Sequence, residues 1–189
     1  MGAALTFDPE LLLAAQDLRV AFFDVDGVLT DGGVYFSEAG ETLKRFSILD
    51  GYGLQLLRRA GITPAVITAG VITGRDSKPL RVRLEALGIE HVRYGTTDKL
   101  PAAQAMLQAM NLDWHQAAAM GDDWPDLALL RRVKLAVAPA NAHAEVRAAA
   151  RYVTQARGGE GAARECCDLL LMAGGHYRRL LDDIHGGAA

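Results

Sequence analysis

Cysteine is almost missing from this chain. Cys166 and Cys167 are the only two among 189 residues. Because they are adjacent, they match neither a disulfide framework nor the paired spacing of a zinc site. They read as small apolar helix residues kept in a reducing compartment, so a cytoplasmic protein is expected. Long hydrophobic runs are missing as well. None reaches the roughly 20 residues of a membrane span, and no secretory signal pattern opens the sequence. A surplus of charge is also lacking: the net charge of −3 gives no reason to expect nucleic acid as a partner. No linker and no second core interrupt the pattern, so residues 1–189 are expected to form one domain.

What the chain does have is apolar content, half of its residues, arranged in short runs that end at acidic or glycine-rich turns. The most informative is Val20-Ala21-Phe22-Phe23 running into Asp24-Val25-Asp26-Gly27-Val28-Leu29-Thr30-Asp31. An apolar run that breaks at a glycine reads as a buried parallel strand entering a loop. In open α/β sheets chemistry collects at the carboxyl ends of such strands. Two neighbouring carboxylates there are costly unless a cation compensates them.

The rest of the chain alternates. A helix over 9–18, capped by Asp8 with Pro9 at its first position, precedes the first strand, 19–25. Residues 33–47 read as a β-hairpin. Asp50 is placed to cap a helix ended by Gly61. Strands are expected near 62–73, 90–94, 116–120, 133–138 and 151–154. Helices are expected near 77–87, 99–110, 125–132 and 142–150. A Gly-rich stretch from 157 leads to a helix over 162–173 and a short final one, so 157–189 forms a tail of its own. Strand–helix alternation of this kind argues for a doubly wound parallel α/β sheet covered by helices on both faces. One local oddity is the near duplication of Val66-Ile67-Thr68-Ala69-Gly70 in Val71-Ile72-Thr73-Gly74-Arg75, which offers two versions of one strand end.

Four constellations capable of chemistry follow in order. Asp24 and Asp26 come first. Thr73-Gly74 supplies a hydroxyl and a close-approach glycine at a strand end, suited to a phosphate. Lys99, just after Asp98 at a helix start, opposes the helix dipole, so something anionic is needed to hold it there. Gly121-Asp122-Asp123-Trp124-Pro125-Asp126 places three carboxylates at another strand end, a set suited to a hard cation that prefers oxygen ligands. Each alone is also what an ordinary turn, a solvated lysine or an acidic helix cap would look like. Their order at the ends of successive strands sets them apart.

In Asp24-Val25-Asp26-Gly27-Val28, Thr73-Gly74, Lys99 and Gly121-Asp122-Asp123-Trp124-Pro125-Asp126 the chain resembles the haloacid dehalogenase superfamily of phosphatases. Asp26 to Gly32, the hairpin, Ile72-Thr73-Gly74-Arg75 and the run from Gly158 to Glu165 are similar to the 3-deoxy-D-manno-octulosonate 8-phosphate phosphatase family. That resemblance implies a small, cytoplasmic, magnesium-dependent, tetrameric enzyme with a Rossmann-like sheet, acting in lipopolysaccharide precursor synthesis.

Carried over residue by residue, the resemblance makes Asp24 the nucleophile and Asp26 the general acid and base. Mg2+ would be held by the Asp24 carboxylate, the Asp26 carbonyl and Asp122. Thr73, Lys99 and the backbone near Gly27, Val28 and Gly74 would bind the phosphoryl group, with Asp123 and Asp126 orienting the metal site and Lys99. The gaps between the constellations leave no room for a cap domain, so a neighbouring subunit is expected to close the site, the hairpin to build the tetramer, and Arg75 and Lys78 to meet the sugar-acid carboxylate. The Gly-rich tail with Arg164 is expected over an adjacent site. Thr68 remains an alternative to Thr73, and a nine-carbon sialic-type acid phosphate an alternative substrate. A third alternative is a non-catalytic oligomeric relative, which would have no need of all of Asp24, Asp26, Lys99 and Asp122. Asn141, where the family usually has Asp, is read as a helix cap.

Overall fold

Buried apolar runs do organise the molecule. The computed structural model describes residues 5–69, 77–96 and 98–186. Its main sheet is parallel and built from β1 (Val20–Phe23), β4 (Thr63–Ala69), β5 (His91–Thr96), β6 (Ala117–Met120), β7 (Leu135–Ala138) and β8 (Tyr152–Val153), in the spatial order β5-β4-β1-β6-β7-β8. Between β1 and β4 lie β2 (Tyr35–Ser37) and β3 (Gly40–Leu43), an antiparallel hairpin of their own. Every residue of β1, β6 and β7 is buried, as strands covered on both faces must be.

The period of two then sorts side chains into two cores. Ala21 and Phe23 face one, with Leu54, Leu57, Leu80, Leu84, Leu169 and Leu170. These come from α2 (Ile48–Arg59), α3 (Lys78–Leu87) and α7 (Ala162–Ala173); α1 (Pro9–Ala14) and α8 (Tyr177–Gly186) complete that layer through Leu11 and Leu180. Val20 and Phe22 face the other, against Ala103, Leu107, Leu130 and Val146 of α4 (Lys99–Ala109), α5 (Leu127–Leu130) and α6 (Ala144–Ala149). The chain thus goes from β1 outward to β5, then returns past β1 to β6, so a topological switch lies between β1 and β6, the place where such sheets bind ligands. The connections between the strands hold the hairpin and single helices, with no cap domain among the described residues.

Several local expectations change. The first helix stops at Ala14, and Asp17 turns the chain with φ +61°. The second helix is capped by Ser47, whose hydroxyl accepts from Asp50 N–H; Asp50 is buried inside its first turn and serves another helix. Residues 124–126 form a 3-10 turn, and the α-helix begins only at Leu127. His143, not Asn141, caps α6 through its side chain. β4 ends at Ala69, and Thr73, Gly74 and Arg75 lie outside the described residues. No described helix is long and apolar enough to cross a membrane.

Candidate active site

Asp24 is the first residue beyond β1, and its N–H donates to the Met120 carbonyl of β6 (3.0 Å). That bond holds it at the carboxyl end of the central strand pair. From the facing layer comes Lys99, the first residue of α4, after Asp98 has capped the helix by accepting from Leu100 N–H. Its side chain is only 2% exposed, with Nζ 2.8 Å from Asp24 Oδ1 and 2.5 Å from Asp126 Oδ1. The approach to Asp24 is off the hydrogen-bonding direction, so the buried Oδ1 has an ionic neighbour but no hydrogen bond. Burial works against the Lys99 ammonium, but Asp24 and Asp126 more than offset it and hold its pKa above the ordinary value.

Asp126 uses its second oxygen as well. Oδ2 accepts from Asp122 N–H (3.0 Å) and Asp123 N–H (3.3 Å), so this side chain organises the loop and aligns Lys99. Asp123 itself is exposed, and its N–H donates to Asp126 Oδ2. Asp122 packs directly on Gly27. A Cβ there would stand 2.0 Å from Asp122 Oδ2, and the backbone is left-handed at φ +86°, so only glycine lets the two loops meet.

Ligand oxygens of Asp24, Asp122 and Asp126 lie within 4.8 Å of one another. Burial, with Asp24 and Asp126 beside it, pushes the Asp122 carboxyl up to about 8. Burial raises Asp24 to about 6, even with Lys99 opposing the shift. Three close carboxylates thus share a single buried lysine. A divalent cation coordinated by oxygen would relieve their repulsion. With both Asp126 oxygens already engaged, Asp24 and Asp122 are the side chains best placed to hold such an ion.

Asp26 stands apart from this cluster. Its Oδ1 is 2.6 Å from Lys44 Nζ and 3.5 Å from Thr30 Oγ1. Lys44 follows β3, has a side chain 4% exposed, and also lies 2.8 Å from Glu41 Oε1. Burial disfavours its charge, yet Asp26 and Glu41 together keep its pKa above the ordinary value. Thr30 Oγ1 accepts from Gly27 N–H and Gly32 N–H, both 3.3 Å, and the Val25 carbonyl accepts from the Val28, Leu29 and Thr30 amides. Val28 is fully buried, and its carbonyl accepts from Gly159 N–H (2.9 Å).

That last bond places the Gly-rich stretch: within the chain it packs on the first loop. A Cβ at Gly158 would fall 1.7 Å from the Gly27 carbonyl oxygen, and Gly158 N–H donates to Asn141 Oδ1 (2.7 Å). Asp50 anchors the next segment by accepting from Gly161 N–H (3.3 Å) and Arg164 N–H (2.7 Å). The Arg164 side chain is tied to Asp168 (2.8 Å) and lies over Tyr52, none of which belongs to the carboxylate cluster. Lys78 is exposed at the start of α3. The structure therefore joins Asp24, Gly27, Lys99, Asp122 and Asp126, with Asp26 beside them, and leaves Lys78 and Arg164 apart.

Lys44, Thr30, Asn141 and Asp50 are the residues of this frame that sequence reasoning missed or assigned otherwise. Nothing local distinguishes a lysine after an exposed strand from solvated charge. Thr30, inside the acidic loop, was the one with a readable signal, since a hydroxyl there can cap loop amides.

Residues 88–165 match the family model described as haloacid dehalogenase-like hydrolase. The chain is 41% identical over 164 residues to 3-deoxy-D-manno-octulosonate 8-phosphate phosphatase KdsC of Yersinia pestis, covering 87% of this chain and 85% of that protein. Among solved structures, a probable yrbi family phosphatase from Pseudomonas syringae superposes with TM-score 0.87 at 43% identity, covering 93% of this chain and 97% of that one. The 3-deoxy-D-manno-octulosonate 8-phosphate phosphatase of Moraxella catarrhalis, solved with magnesium, phosphate and KDO, gives TM-score 0.86 at 34% identity, with 93% and 98% covered. With the acidic site at the ends of β1 and β6 and relatives that match almost end to end, the chain belongs to the haloacid dehalogenase-like hydrolases and, within them, to the 3-deoxy-D-manno-octulosonate 8-phosphate phosphatase family.

Proposed function

We propose that the whole chain works as one magnesium-dependent phosphatase unit that hydrolyses 3-deoxy-D-manno-octulosonate 8-phosphate to the free sugar acid and phosphate, in the cytoplasm. The observation that carries this is the pairing of Asp24 with Lys99 beside Asp122 and Asp126 at the ends of β1 and β6. Asp24 attacks the phosphorus while the bond from phosphorus to the sugar oxygen breaks, giving an aspartyl-phosphate. Asp26 supplies the proton that the leaving oxygen takes up. It then accepts one from the water that attacks the same phosphorus, and phosphate departs as the Asp24 carboxylate is restored. Lys99 neutralises part of the charge on nucleophile and phosphoryl group. Mg2+ held by the Asp24 and Asp122 carboxylates and the Asp26 carbonyl would supply the remaining charge neutralisation for nucleophile and phosphate. Amides of the loop around Gly27 and Val28, and a hydroxyl at the end of the duplicated strand, Thr68 or Thr73, with Gly74, hold the phosphoryl oxygens.

A second copy of the chain completes the site. No cap covers it among the described residues, and closed sites favour phosphoryl transfer by excluding water. The hairpin and the start of α2 expose Val34 (54%), Phe36 (70%), Leu43 (65%) and Ile48 (82%), a patch suited to burial between subunits of a tetramer. Arg75 and Lys78 are the residues proposed to meet a neighbour's substrate carboxylate, with Arg164 joining them where it leaves Asp168.

The test is phosphate release from a panel of sugar phosphates in Mg2+ or EDTA, with Asp24→Asn alongside. Preference for the eight-carbon 3-deoxy acid phosphate, abolished by EDTA and lowered by several orders of magnitude in Asp24→Asn, is the expected result. Preference for nine-carbon acid phosphates would move the substrate and keep the chemistry. No metal-dependent release from any of them would overturn the reading.

A further inference from the structure

Lys44 is the least expected charge in the molecule. It comes from the end of a hairpin whose first strand is wholly exposed, yet its own side chain is 4% exposed. A lysine is almost never this buried unless its partners demand it. Its partners are Asp26 Oδ1 at 2.6 Å and Glu41 Oε1 at 2.8 Å. Asp26, by contrast, keeps 35% of its side chain exposed. Thr30 Oγ1 also lies on Oδ1, at 3.5 Å. Among the described residues, both protein contacts of the Asp26 carboxylate thus converge on one of its two oxygens.

We infer that Lys44 is a positioning residue for the general acid: it grips Asp26 Oδ1 so that Oδ2 is the oxygen that gives the proton to the sugar leaving group. This rests on the phosphatase reading above and adds to it the residue that orients Asp26. The physical need is plain. A carboxylate on a loop has two equivalent oxygens and a freely turning χ2, and proton transfer demands one oxygen at hydrogen-bond distance from the leaving atom. A charge-assisted bond to a buried ammonium selects one rotamer and one oxygen. Glu41, three residues before Lys44, adds a second negative charge 2.8 Å from the ammonium. The hairpin therefore contributes a side chain to the centre in addition to its outer apolar surface.

The leaving group separates this role from a merely structural one. An alkyl phosphate, such as a sugar phosphate, needs its leaving oxygen protonated. A nitrophenyl phosphate does not, because its phenolate leaves unaided. The quantity to compare is kcat/KM, which covers the steps up to release of the alcohol and excludes hydrolysis of the aspartyl-phosphate. We would measure it with Mg2+ for p-nitrophenyl phosphate and for the preferred sugar phosphate of the panel above, in wild type, Lys44→Met, Lys44→Arg and Asp26→Asn. Full loss of a general acid costs about 10²–10⁴-fold, and loss of its orientation a part of that. Lys44→Met is expected to lower the alkyl-to-aryl ratio of kcat/KM about tenfold or more, in the direction of Asp26→Asn, with Lys44→Arg recovering part of it. Equal loss on both substrates, or an unchanged ratio, would overturn the role while leaving the phosphatase reading intact. Should Lys44→Met fail to fold, Lys44→Arg carries the same ratio test, since a longer, planar head displaces Asp26 without removing the charge. A wild-type protein silent on both substrates would overturn the phosphatase reading, and this role with it.

Discussion

Asp122 and Asp24 show how much one residue's setting departs from its sequence. Burial, with Asp24 and Asp126 beside it, holds the Asp122 carboxyl at about 8, and burial, with Asp126 beside it and Lys99 opposing, holds Asp24 at about 6, both above an ordinary 3.8. A group whose folded pKa is raised adds stability that is complete below its unfolded pKa and is lost as pH rises through the folded one. The metal-free protein is therefore expected to lose thermal stability as pH rises from about 4 to about 8, through these two groups. Mg2+ is expected to raise the midpoint most at the alkaline end, where its ligands are already deprotonated. Thermal melts in EDTA and in Mg2+ across that range check this; a metal effect that does not grow with pH would contradict it. The strand-end hydroxyl is also a question for single residues. Val66 pairs in register with Phe23, so Thr68, buried two residues further along β4, stands level with the loop that carries Asp26. Thr68→Ala is accordingly expected to cost about 10²-fold in kcat/KM, the usual worth of one donor to a developing charge, and Thr73→Ala much less. Steady-state kinetics of the pair decide it, and a larger loss in Thr73→Ala would reverse the assignment. Asp24, Asp26, Lys99 and Asp122 were legible in sequence through their order at the ends of successive apolar strands, since each alone also fits a turn, a cap or a solvated lysine. Lys44 was not, since its value depends on a partner eighteen positions away.

At the scale of elements, Asp50 is the informative case. It belongs to α2 but caps α7, accepting from Gly161 and Arg164 amides that would otherwise be orphaned at a buried helix start. Gly161 precedes α7 with φ +109° and offers no side chain to cap it. Asp50→Ala is expected to destabilise the protein by about 1–2 kcal/mol, as loss of an N-cap does, and Asp50→Asn by less, because its amide oxygen still accepts. Urea unfolding of both variants tests this; equal losses would show that charge, not the accepting oxygen, is what counts. Just ahead of α7, Gly158 N–H on Asn141 Oδ1 and Gly159 N–H on the Val28 carbonyl hold the Gly-rich stretch against the loop that carries Asp26 and Gly27. Helix α7 over 162–173 was readable from its own periodicity and glycine start. That it is capped by another helix was not, because capping by a residue 111 positions away leaves no local signature.

For the molecule as a whole, the exposed apolar hairpin is the feature a lone chain does not explain. If a second copy covers it, Phe36→Asp with Leu43→Asp places charge in the contact and is expected to yield a smaller particle by light scattering, with lower kcat/KM. A wild-type chain that is monomeric at micromolar concentration and fully active would remove this role. The strands of the main sheet and the helices between them were open to sequence, because apolar period and spacing report burial directly. By itself the sequence determined the α/β class, the order of its elements and the acidic and basic residues at strand ends, since these depend on neighbours along the chain. Tertiary structure alone decided the company those residues keep: Lys99 between Asp24 and Asp126, Asp122 on Gly27, Lys44 on Asp26, and the Gly-rich stretch on its own first loop. Those pairings arise where β1 and β6, far apart in sequence, are brought side by side, and close approach, burial and charge compensation exist only once they are.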